Sequence, residues 1–102
     1  MKKVFEKSFR DVEISVTLTT DKEIRKLNKK FRSKDYPTDV LSFNIEEKKE
    51  DGGLYLGDVI VNVQQAKRQA KEFGNSLEQE IAALVEHGVL HLLGVHHDGD
   101  DH

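Results

Sequence analysis

From Val12 to Thr19 apolar and polar residues alternate strictly, with Val12, Ile14, Val16 and Leu18 on one side. A period of two with strong β-formers on the apolar side predicts a half-buried strand. The period then lengthens. Ile24, Leu27 and Phe31 fall at helical spacing, and Thr20 followed by Glu23 has the form of a capping box. The predicted helix ends near Arg32–Lys34, because Pro37 disfavours a helical backbone at Tyr36. Thr38–Ile45 and Leu54–Val61 are two further strands, the second broken at Gly57-Asp58 as by a bulge or a close backbone approach. Val4, Phe5 and Phe9 suggest a shorter strand at the start. Asn62 caps a helix whose Val63, Ala66, Ala70 and Phe73 are expected to face inward, and Gly74 stops it. Ser76 with Gln79 opens the last helix, which carries an apolar stripe of Ile81, Leu84, Val85, Gly88 and Leu92 and ends at Gly94.

These elements assemble into an α+β fold: a small mixed β-sheet with helices packed mainly on one face, in a single domain over residues 1–102. Composition narrows the chemistry. The chain has no cysteine, which excludes a disulfide-linked partner and a thiolate metal site, so any metal is held by nitrogen and oxygen. There is no apolar run of about 20 residues to span a membrane. The opening Met1-Lys2-Lys3-Val4-Phe5-Glu6-Lys7 is not a signal peptide, and a cytoplasmic location is expected. The net charge is −3, yet residues 21–34 hold seven Lys or Arg against two acids. The charge is polarised and not uniformly acidic.

All five histidines lie from position 87 onward. His87 and His91 are four apart on the last predicted helix, so they project side by side, at the edge of the core beside the apolar stripe. With Gly94 as a hinge, His97 completes the spacing His-x-x-x-His-x-x-Gly-x-x-His, the metal-binding frame of the metzincins. That frame selects His97 over His96. Three imidazoles and an open position suit a catalytic zinc on the last helix, whereas a closed structural site would add Asp98 or His102. Zinc peptidases of this frame place a glutamate general base after the first histidine. Here that residue is Gly88, and Glu86 projects to nearly the opposite side, which argues against proteolysis.

The stretch His87-Gly88-Val89-Leu90-His91-Leu92-Leu93-Gly94-Val95-His96-His97 resembles the hallmark of the YbeY-type single-strand-specific endoribonucleases. Two further segments are similar to that family, Leu27–Phe43 (with Arg32 and Pro37) and Leu56–Ile60. The resemblance implies zinc on His87, His91 and His97, and a catalytic role for Arg32 near an RNA-binding cleft. It also implies hydrolysis of single-stranded RNA, in ribosomal RNA maturation and ribosome quality control, with ribosomal proteins as partners. The chain departs from the family at Val95-His96, where a Tyr-Asp pair is usual, and reads as a shortened form without the family's terminal helices. The basic helix fits the same reading, because Arg25, Lys26, Lys29, Lys30, Arg32 and Lys34 can track a phosphate backbone. Asp39 and Asp58 are candidate accessory acids. Two alternatives share the site: a metallohydrolase of another substrate, and a ribosome-associated binding module with a structural metal.

Overall fold

The computed structural model describes residues 2–9, as backbone, and 11–94. The elements run β1 (Lys2–Phe9), β2 (Val12–Thr19), α1 (Asp21–Arg32), β3 (Val40–Lys48), β4 (Leu54–Asn62), α2 (Val63–Phe73) and α3 (Leu77–Leu92). The four strands form one mixed sheet in the order β1-β2-β4-β3. β2 and β4 are parallel, while the outer strands β1 and β3 are antiparallel to their neighbours. β1 is longer than its apolar residues suggest. Its ladder slips by one residue between Lys3 and Phe5, so a segment without clean alternation still pairs along its length.

The sheet is covered on both faces, unequally. Val40, Val59, Val61, Ile14 and Val16 turn to one side and pack with Ala66 of α2 and Leu84 and Leu92 of α3. Leu41, Phe43 and Ile60 turn to the other and meet Ile24 and Leu27 of α1. Two helices therefore lie on one face and one on the opposite face. The alternation along Val40, Leu41, Ser42 and Phe43 assigns these side chains to the two faces in turn.

One strand expectation changes and another is met in both its forms. β2 is not half-buried: Glu13 and Ser15, on its polar side, are buried as well. β2 lies inside the sheet, and Lys49 closes over the Glu13 carboxylate at 2.7 Å. In β4 the interruption has two parts. The ladder with β2 gains an extra residue between Tyr55 and Gly57, and Gly57 itself lies so close to β3 that a Cβ there would sit 2.1 Å from the Phe43 carbonyl oxygen. This bulge keeps both Leu56 and Val59 on the α3 side although they are three residues apart.

The caps fall where the sequence places them, with only the Thr20 half of the first expected box formed. Thr20 accepts from the Glu23 backbone N–H, and Ser76 and Gln79 form the full reciprocal box. The Asn62 side chain accepts from the N–H groups of Gln64 and Gln65, and Gly74 ends α2 at φ 71°. α1 stops at Arg32, earlier than Pro37 requires, because Ser33 takes a left-handed conformation at φ 58° and its N–H returns to the Asn28 carbonyl. Asn28, itself buried, then donates to the Tyr36 carbonyl and folds the following loop against the helix. Phe73 does not face inward: it is the last residue of α2, at the turn towards α3, and is 60% exposed. No helix among the described residues is long and apolar enough to cross a membrane.

Candidate active site

The site begins with how closely α3 lies on the sheet. A Cβ on Gly88 would stand 2.5 Å from Cγ1 of Val59 and 3.0 Å from Oγ of Ser42. Only a residue without a side chain allows this approach, which gives Gly88 a packing reason independent of chemistry. It also sharpens the argument against a peptidase: a side chain at 88 points into the sheet, not into a cleft. The neighbouring turn sinks with it. His91 is only 4% exposed, deeper than the core-edge position expected from the stripe, whereas His87 is half-buried. Their rings lie 5.2 Å apart, centre to centre, and are tilted by 54°.

Arg32 approaches from the other face. It is the last residue of α1, and its Nη2 donates to the backbone carbonyl of Ser42 at 2.7 Å. The Ser42 hydroxyl in turn donates to the carbonyl of Gly88 at 3.0 Å. One residue of the edge strand β3 thus joins the arginine to the turn of α3 between His87 and His91. The Arg32 guanidinium also stands 5.2 Å over the Phe43 ring. Its Nε is buried without a hydrogen-bond partner among the described residues. An orphaned donor of this kind costs free energy and marks a place where an acceptor is expected.

Ser42 is the residue that the sequence reading missed. Its signal was available: in the alternation of β3 it falls on the face that carries Val40, so it is a polar side chain pointed at the α3 core.

The two candidate acids do not join the histidines. Asp39 accepts from Gln69 and Thr38, and its backbone carbonyl accepts from Asn62, so it holds α2 to the start of β3. Asp58 stands opposite Phe43 in the ladder, on the α1 side of the sheet, and accepts from the Tyr55 hydroxyl. The basic face of α1 is partly neutralised. Asp35 pairs with Arg25 at 2.9 Å and with Lys29 at 3.9 Å, and Glu23 lies 3.8 Å from Lys26. The Arg25 hydrogen bond holds the Asp35 carboxyl below the usual carboxylate range. A hollow of about 550 Å³ on this face, lined by Lys22, Arg25, Lys26 and Lys29, also takes in Asp21 and Asp35. It is a mixed-charge surface, less suited to phosphate than the count of cations implied.

The donors suit zinc as far as they are described. Two imidazoles one helical turn apart, with centres 5.2 Å apart, can turn their nitrogens to one ion at the roughly 2.0–2.1 Å that zinc takes. Among the described residues no three histidine or carboxylate groups converge. The expected third ligand, His97, and the competing residues His96, Asp98 and His102, lie outside the described residues.

With this geometry in place the relatives are informative. The sequence pattern of the family described as Endoribonuclease YbeY matches residues 1–102. The chain is 54% identical over 89 residues to Endoribonuclease YbeY of Aquifex aeolicus, covering 86% of this chain and 58% of that protein. It is 50% identical over 97 residues to the Heliobacterium modesticaldum protein of that name, covering 85% and 58%. It thus spans just under three fifths of the length of these relatives. The solution structure of TM1509 from Thermotoga maritima is similar at 38% identity with a TM-score of 0.56, over 86% of this chain and 55% of that one.

Proposed function

The chain belongs to the YbeY endoribonuclease family, and on that premise we propose that it is a metal-dependent, single-strand-specific endoribonuclease of ribosomal RNA maturation and ribosome quality control, acting in the cytoplasm with ribosomal proteins as partners. The observation that carries this reading is the Ser42 link: it ties Arg32, a phosphate-matching cation, to the backbone between two potential metal ligands. A peptidase or a purely structural metal site gives no reason for an arginine there.

In this reading His87, His91 and His97 hold one zinc ion. When bound, the ion supplies Lewis-acid polarisation of a phosphoryl oxygen. The rest is done by the chain. Arg32 binds the scissile phosphate through guanidinium donors that Ser42 does not use. Ser42 fixes the guanidinium so that little reorganisation is needed as charge develops on the phosphate. Gly88 keeps α3 against the sheet, so that both histidines and the arginine keep one register around the β3 edge. The RNA then crosses that edge, from the α1 face to the α3 face.

The test is cleavage of labelled single-stranded and duplex RNA before and after chelation. Stripped protein is expected to lose cleavage of single strands and regain it with zinc, and duplex RNA to stay intact throughout. Cleavage retained by chelator-treated His91→Ala protein would exclude the proposal. Thermal melts of the same samples separate a catalytic from a structural metal, because removing a structural ion unfolds the chain and removing a catalytic one does not.

A further inference from the structure

The aromatic residues beside Arg32 form a feature that phosphate chemistry leaves unused. Phe31 belongs by its spacing to the inward stripe of Ile24 and Leu27, yet 52% of it is exposed. Its remaining surface rests on Phe43, with ring centres 5.3 Å apart and planes at 68°. Two cations attend the pair: Lys30 stands 5.2 Å over the Phe31 ring, and Arg32 5.2 Å over the Phe43 ring. A large apolar side chain left half in water loses part of the stabilisation that burial would give. Its position next to the Arg32 guanidinium points to a ligand that is both anionic and flat.

We propose that Phe31 is a base-stacking residue: its exposed ring takes the nucleobase of the nucleotide next to the phosphate held by Arg32. This rests on the RNA-cleavage reading above and adds the contact through which unpaired bases are favoured. A base inside a duplex has both faces stacked and cannot lie on the ring, whereas an unpaired base can. Because every base offers a π-face, the contact tolerates sequence while selecting single strands. Lys30, already placed over the ring, sits where it can meet the neighbouring phosphate once the base arrives.

The chain has no tryptophan, so Phe31→Trp introduces one fluorophore at the proposed contact. Its emission is followed on mixing with a single-stranded oligouridylate and with an abasic sugar-phosphate oligomer of the same length. Binding of both oligomers is also measured for Phe31→Leu. Quenching by the oligouridylate but not by the abasic oligomer is expected. Phe31→Leu should bind oligouridylate roughly 5- to 150-fold more weakly, corresponding to the loss of one stacked base. It should bind the abasic oligomer as the parent chain does, which also verifies its fold. An unquenched tryptophan, with Phe31→Leu holding oligouridylate at parental affinity, overturns stacking and leaves the RNA-cleavage reading standing. A parent chain that binds neither oligomer overturns both.

Discussion

α1 and α3 lie on opposite faces of the same sheet, and each brings candidate site residues to the β3 edge by a different physical route. α1 is held by a thin seam, Ile24 and Leu27 against Leu41 and Ile60, and displays its charges in solvent. α3 is pressed down until Gly88 touches Val59, and it buries His91 in the process. The outer surface of α1 is therefore adjustable, whereas the turn of α3 around Gly88 is fixed by close packing. In such a site the ligands must hold their geometry, and the surface around the substrate need only hold its charge.

The comparison breaks most visibly if the histidines are removed. His87→Ala, at a half-buried position, should slow metal-dependent RNA cleavage more than any other change, to a residual rate still measurable in single turnover, and leave the melting temperature of the metal-free chain close to that of the parent. Wild-type cleavage rates in this variant would detach function from α3 altogether.

Next in size is Gly88→Ala. In an exposed helix this change adds stability, about 1 kcal/mol. Here the new methyl meets Val59, and overpacking should instead destabilise by about 1–3 kcal/mol. That corresponds to a fall in melting temperature of about 4–8 °C per kcal/mol for a domain of this size. Combining it with Val59→Ala should recover part of the loss, and denaturant titration of the two variants measures how much. A stabilised Gly88→Ala would show that α3 is not seated as closely as described.

Ser42→Ala is subtler. It keeps the backbone carbonyl that receives Arg32 and removes only the bond to Gly88, so about 1 kcal/mol of stability should be lost. The RNA cleavage rate should fall while RNA affinity stays near that of the parent.

The smallest effect lies at the start of α1. Hydrogen bonds from Arg68 and then Asn62 hold the Asp21 carboxyl below its ordinary value of 3.8. A depressed folded-state pKa stabilises the fold above the unfolded value and ceases to do so as pH falls through the folded one. Stability should therefore drop more steeply below about pH 4 in the parent chain than in Asp21→Asn. The side chain is 33% exposed, so the difference is modest and shrinks with salt. Identical acid limbs in denaturation curves would show that the Asp21 network adds nothing.

The same contrast explains what could be read in advance. α1 was legible because its cap, period and solvated cations are local properties, and β2 and α2 were legible for the same reason. The histidine spacing was legible too, since i and i+4 neighbours follow from helical geometry alone. What could not be read depended on contacts far apart in sequence. Ser42 bonds across 46 positions to Gly88, and the buried Glu13 is paired by Lys49 from 36 positions away. The neutralised face of α1 was hidden likewise, because Asp35 reaches it only after Ser33 reverses the chain.

The central claim is that Arg32 and the histidines act as one unit through Ser42. It is tested most directly by a double-mutant cycle on single-turnover cleavage of single-stranded RNA, with Arg32→Ala, His87→Ala and the pair. Arg32→Ala alone should cost about 10²–10³-fold, the size of effect seen when a charge-stabilising donor is removed. If the unit is real, the double variant should cleave no more slowly than His87→Ala, because groups that act together are lost together. Effects that multiply would contradict it, leaving Arg32 and the histidines as two independent contributors.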